Sequence, residues 1–373
     1  MQTGVEGQSL NAEDQLFVLL QAGLYLIATR GFSAPQVRIC YERAESLCRL
    51  LNRPLVLFSS LEGQWRYSLY TDKLSATMQI AKRAYLLAQE QHDSVLMIGA
   101  YRAFAVTLFF LGDFESARQY AMRGLQIWRP GGVQSPVEEI SAPAVLCLCI
   151  EAVTEWHVGA IASCQATVAE AISIAKELND MHGLAVALQF AGYLGHLERN
   201  PAEVERLASD LIELSTRQNF ALWLPQGGIL CGWARSASGD SAEGIAWIEN
   251  GIRDYRTIGA MLCMPYYLSL KAEALHLADR TSEALETIKE AERLAETSGE
   301  RCCSAELYRL RGVFLTTIGA DETQIKAAFC EAIRTAKQQK SISLAKRAEA
   351  THAEYRCQKA RCVRGHGFQR LLC

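Results

Sequence analysis

Cys357, Cys362 and His366 are the residues a metal would meet first, because zinc is held by thiolate and imidazole ligands. A structural zinc site needs a full tetrahedral set at close cysteine spacing, and this loose trio falls one ligand short. No metal site is therefore expected. Cys302 and Cys303 are adjacent, and neighbours on a helix point about 100° apart, which argues against a disulfide between them. Cys147 and Cys149 share no helix face either. The seven histidines are scattered, and none has a serine or cysteine partner at motif spacing. No Gly-x-Ser-x-Gly elbow nominates a nucleophile, and no Gly-x-x-x-x-Gly-Lys-[Ser/Thr] loop would cradle a phosphate. The expectation is a chain that is not an enzyme, with no catalytic residues and no cofactor.

What the sequence carries instead is a repeated pattern of turn, small residue, bulky apolar residue and small residue. It is clearest in Gly112-Asp113-Phe114, Ala117, Ala121 and Gly124. Gly244, Ile248 and Gly251 repeat it, as do Ala284, Ile288 and Ala291. The central positions are Tyr41, Ala81, Ala121, Val168, Leu211, Ile248, Ile288 and Phe329, a period of about 40 residues. Apolar residues recur at three- and four-residue intervals throughout, which is the helical signature. The period and the helical pattern together predict an all-α, right-handed superhelical solenoid of about eight antiparallel hairpins. Their expected spans are 14–51, 55–91, 94–128, 142–178, 183–218, 222–257, 263–297 and 303–339. Small residues such as Ala117 and Gly124 let paired helices approach closely.

The 373 residues include 38 Lys and Arg against 41 Asp and Glu, a net charge of −3. Such a balance does not favour nucleic-acid binding, which draws on clustered cations. The stretch Leu16 to Ala28 is broken by Gln21 and is shorter than the roughly 20 residues of a membrane span. Most of the thirteen cysteines lie in apolar helical stretches, where they act as small hydrophobes of a reducing compartment. A cytoplasmic protein without membrane contact is expected. The domain reading is a disordered segment over 1–13, the array over 14–340, a capping helix over 341–356 and a basic disordered tail over 357–373.

The repeat columns resemble the tetratricopeptide repeat, with a longer period and without its Trp-Leu-Gly pattern. Segments such as Leu26-Ile27-Ala28-Thr29-Arg30-Gly31-Phe32-Ser33-Ala34-Pro35 and Thr107-Leu108-Phe109-Phe110-Leu111-Gly112 resemble one setting in particular. That is the C-terminal repeat region of bacterial proteins pairing a class III adenylate/guanylate cyclase domain with a predicted ATPase. Ala305-Glu306-Leu307-Tyr308-Arg309-Leu310-Arg311-Gly312 adds to it. The resemblance implies a non-catalytic interaction or sensor scaffold of bacterial signalling, or the regulatory part of a cyclase or ATPase whose catalytic domains are absent here. It implies a protein or peptide partner, such as a cyclase or ATPase domain, and allows a small effector. In tetratricopeptide arrays the first helix of each hairpin faces the concave groove. That register places Arg66, Arg102, Trp156, His157, Trp233 and Tyr266 on an accessible inner surface, as residue types that favour binding.

Overall fold

Prolines and small polar residues punctuate this chain wherever a helix begins. In the computed structural model, which describes residues 11–129 and 142–362, helices run in the order those signals set. They pair as α1 (Ala12–Arg30) with α2 (Pro35–Leu50), α3 (Pro54–Thr71) with α4 (Leu74–Glu90), and α5 (Ser94–Phe110) with α6 (Phe114–Trp128). Next come α7 (Pro143–His157) with α8 (Ile161–Glu177), and α9 (Met181–Leu197) with α10 (Pro201–Gln218). The last pairs are α11 (Trp223–Ala237) with α12 (Ser241–Thr257), α13 (Met264–Leu277) with α14 (Thr281–Ser298), and α15 (Ser304–Thr317) with α16 (Glu322–Gln338). A final helix, α17 (Ile342–Cys362), closes the described array, and no strand occurs among the described residues. The eight expected hairpins are all present. Two expected boundaries move: α1 already starts within the segment assigned to disorder, and α17 runs past residue 356 to Cys362. Residues 1–10 and the tail beyond 362 lie outside the described residues.

One joint recurs between helices. A residue with positive φ follows the helix, and the next amide reaches back to a carbonyl five residues earlier, the Schellman geometry. Asp93 N–H donates to the Ala88 carbonyl at 3.4 Å, Asp113 to Leu108 at 3.0 Å, Asp180 to Ala175 at 2.9 Å and Asp240 to Arg235 at 3.0 Å. Each of these aspartates then caps the following helix through its carboxylate. A single short sequence thus stops one helix and starts the next.

Odd-numbered helices line the inside and even-numbered helices the outside. In α9 every residue from Gly183 to Leu197 is buried, as fits a helix apolar all round. In α12 the buried residues are Gly244, Ile245, Ile248, Gly251, Ile252 and Tyr255, one stripe only. Within each pair the small residues set the approach. A Cβ added to Gly232 on α11 would lie 2.5 Å from the Gly244 carbonyl oxygen on α12. Ala117 and Ala121 are fully buried between α5 and α6, as the repeat columns require.

The superhelix winds tightly enough for one turn to land on the next. Met261 N–H donates to the Tyr70 carbonyl at 2.9 Å, and Arg301 N–H to the Phe110 carbonyl at 2.6 Å. Ser33 Oγ donates to the Ile258 carbonyl at 2.7 Å, and Ser343 Oγ to the Trp156 carbonyl at 2.5 Å. The Arg347 guanidinium donates to the Leu197 carbonyl, and Lys340 pairs with Glu115. These partners stand 150 to 225 residues apart in the chain. The inner face is therefore core as well as groove.

Gly244→Ala should destabilise the protein by about 1–3 kcal/mol, the usual cost of forcing atoms into a filled interface. Ala246→Ser on the exposed side of the same helix should leave the denaturation midpoint nearly unchanged. Equal midpoints for the two variants in a urea titration would show that the α11–α12 contact does not limit packing.

Candidate functional site: a cavity between the superhelical turns

All six residues expected on an accessible inner surface are buried. Arg66 is 7% exposed, Arg102 1%, Trp156 3%, His157 0%, Trp233 2% and Tyr266 4%. They do sit on inner helices, as the register implied. The open groove is what fails, because the following superhelical turn covers it. Arg66, Arg102 and Tyr266 come together as lining of one cavity, whereas Trp156, His157 and Trp233 do not reach it.

The cavity takes its walls from α3, α5, α7, α9, α11, α12 and α13 and from the loops before α2, α13 and α15. Its surface is mostly apolar and rich in rings, with Trp65, Phe109, Phe190, Tyr193 and Trp223 among the lining side chains. About 880 Å³ lies empty between these walls, part of it open to solvent. That is the form of a ligand cavity: apolar, concave and set with few polar groups. On α3 and α5, Glu62 bridges the two arginines, meeting Arg102 directly and Arg66 at 3.6 Å. Arg102 also lies over the Trp65 ring at 5.6 Å, a cation–π contact. Beside the cavity, Trp223 Nε1 donates to His182 Nδ1 at 3.3 Å. Burial holds the His182 imidazole down at about 4, so it stays neutral and can accept that bond.

Glu300 forms the far wall. Its Oε2 accepts from the Cys263 amide at 3.1 Å, and the Cys302 thiol approaches Oε1 at 3.9 Å. Burial pushes its carboxyl up to about 8, against the ordinary 4.5, so at neutral pH it is largely a neutral acid.

The remaining expected residues belong to structural networks. Trp233 Nε1 donates to Glu273 Oε2 at 3.3 Å, and His196 Nε2 meets Glu273 Oε1 at 3.2 Å. Arg199 joins Glu273 to Glu306, which Arg309 also holds, at 2.7 Å. Arg347 stands 3.8 Å from Glu306 and covers the Trp156 ring at 5.3 Å. The neighbouring arginines keep the Glu273 carboxyl well below the carboxylate range and Glu306 at about 2, despite burial. His157 stacks on Phe114 with centroids 3.6 Å apart, and its Nδ1 meets Ser341 Oγ at 2.8 Å. Arg199, Glu273, Glu306, Arg309 and Arg347 were not singled out from sequence. For Glu273 the signal was a charge set between apolar residues of an inner helix, in Ala272-Glu273-Ala274.

Other sequence candidates stand apart from the cavity. Cys357 is exposed, while the side chain of Cys362 and all of His366 lie outside the described residues. Cys302 and Cys303 are both free and buried, and no disulfide links the described cysteines. Cys330 faces solvent rather than an apolar interior. Among the described residues no cluster of His, Cys, Asp and Glu is arranged to hold a metal. No described helix is long and apolar enough to cross a membrane.

The Glu300 carboxyl binds its proton more tightly in the fold than in the unfolded chain. Its contribution is full below pH 4.5 and is lost as pH rises through about 8. Glu300→Gln should abolish that loss, so the parent melts lower than the variant at alkaline pH and the gap narrows on acidification. A constant gap in melting temperature across a pH series would rule out this titration.

No protein-family model matches the chain. It is 22% identical over 343 residues to an uncharacterised protein of Rhizobium meliloti (strain 1021), an alignment covering 91% of this chain and 33% of that protein. The chain thus spans about a third of the length of the curated relative it matches. Among solved structures it is similar to a Rap protein complexed with competence and sporulation factor. There the TM-score is 0.58 at 11% identity, over 94% of this chain and 99% of the other. It is also similar to NprR in complex with its cognate peptide NprX, with a TM-score of 0.54, 11% identity and coverage of 92% and 99%. The apo form of NprR from B. thuringiensis gives 0.51 at 15% identity, over 88% and 89%. At these identities the likeness establishes the fold, a tetratricopeptide-like helical solenoid.

Proposed function

We propose that this chain is a non-catalytic interaction and sensor scaffold of bacterial signalling that admits a short peptide or small effector between its superhelical turns. The observation that carries this reading is the origin of the cavity walls. Phe110 and Tyr70 come from the first turn, and Cys263, Tyr266 and Glu300 from the second. The backbone of the same segments makes the contacts that join the turns. An occupant gains contacts with both turns only when they are closed, so it favours the closed arrangement by its difference in affinity. The partner that reads this change is a protein. Rap and NprR, of similar fold and solved with peptide factors bound, support a peptide as the first class of ligand to test.

A second reading makes the array the regulatory part of a signalling assembly whose cyclase or ATPase domain is held elsewhere. It is favoured by the rhizobial relative, of which the aligned region is only a third. Co-purification of this chain with a cyclase or ATPase domain encoded beside it would separate the two readings.

Val186 lines the cavity from α9 and is 8% exposed. Val186→Trp should therefore fill the space while leaving the outer surface unchanged. Short peptides and small organic acids that raise the parent's melting temperature should have no such effect on the variant. Ligands that stabilise both proteins equally, or a parent that answers none of them, would overturn the cavity as the sensing site.

A further inference from the structure

Tyr266 is the uncharged member of the three expected residues that line the cavity. Its phenol lines the cavity, its side chain is 96% enclosed by the 4% exposure above, and its hydroxyl has no hydrogen-bond partner. The ring itself is firmly placed. Tyr193 packs edge-on at 4.8 Å, His196 at 5.4 Å, and Tyr267 lies 5.6 Å away. From the backbone side, Ser269 Oγ donates to the Tyr266 carbonyl at 2.7 Å. Native proteins satisfy nearly all buried polar groups, so a rigidly held, unmet hydroxyl on a cavity wall marks a bond completed by something else. We propose that the cavity recognises a small, mainly apolar ligand bearing a carbonyl-type acceptor, and that the Tyr266 hydroxyl donates to it. This deepens the effector reading and rests on it.

The chemistry of the wall fits such a group. Burial raises the phenol's titration well above its ordinary range, so it remains a neutral donor throughout physiological pH. Gln189 and Tyr193, one helical turn apart on α9, line the same space and bring further polar atoms to it. The aromatic rings on the wall account for the apolar body of such a ligand. Sites built to pair a ligand's polar group reject an isostere that lacks it far more strongly than apolar pockets reject a size change. Tyr266 is thus a specificity-determining residue rather than a packing one.

The test uses the full chain, its Tyr266→Phe variant and three probes. Phenylacetamide offers a ring and an acceptor, propylbenzene a ring without one, and acetyl-Gly-Phe-Gly-amide the same acceptor chemistry within a peptide. The variant should melt at or above the parent, because it loses an unmet polar group. Phenylacetamide should bind the variant at least about tenfold more weakly, while propylbenzene binds both alike. Tyr266 dependence seen with the tripeptide alone also supports the proposal and assigns the acceptor to a peptide. Amide binding indifferent to Tyr266→Phe overturns the proposal but leaves the effector reading standing. A variant that melts well below the parent also overturns it, since the hydroxyl is then structural. If none of the probes binds and Val186→Trp also changes no ligand response, both readings fall.

Discussion

The contact between successive superhelical turns governs this molecule. A helical-hairpin solenoid with a slack coil presents its inner helices to solvent as a groove. Here the amides of Met261 and Arg301 reach the ends of α3 and α5, and the groove becomes an interior. An inner helix covered in this way needs apolar residues on all sides, which is why α9 is buried along nearly its whole length. It also means that a polar side chain on such a helix has only the coil or an occupant of the cavity to pair with.

Two sets of ionised groups meet that requirement in different ways. Glu62 ties α3 to α5 within the first turn. The Glu273–Glu306 group reaches from α9 through α13 and α15 to α17, so it fastens the end of the chain to its middle. Removing a single member would leave a buried charge uncompensated, and such losses are severe. Replacing whole groups by apolar side chains need not weaken the fold at all. The Glu273–Glu306 group alone joins helices of different turns, and so favours one pairing of turns over a slid one.

Much of the fold was legible in the residues. The spacing of Ala117, Ala121 and Gly124 located a packed helix face, and the Gly112-Asp113 turn located the joint before it. Those features are local, because capping and close helix approach depend on residues a few positions apart. The pitch of the superhelix is not local. It sums small rotations over several hairpins, and no single residue encodes it, so Trp156 and Trp233 were expected in a groove that is closed. The contrast between α5, apolar all round, and the one-sided stripe of α14 was present in the sequence and bears on this question directly. An inner helix without a polar side has no solvent to face. Tyr266 was found for its type, but its unmet hydroxyl is a property of the assembled cavity alone.

The repeated Schellman joint has a consequence for how such chains change over time. Because the joint recurs both within hairpins, at Asp113 and Asp240, and between them, at Asp93 and Asp180, a hairpin pair gained or lost between two such joints leaves those local junctions intact. The contacts between turns are less forgiving, since losing one hairpin between Tyr70 and Met261 would bring a different segment opposite Tyr70. Growth and shrinkage of the array are therefore permitted at its ends and penalised within a turn. Related chains should differ in total length far more readily than in the number of hairpins that separate the two halves of the seam.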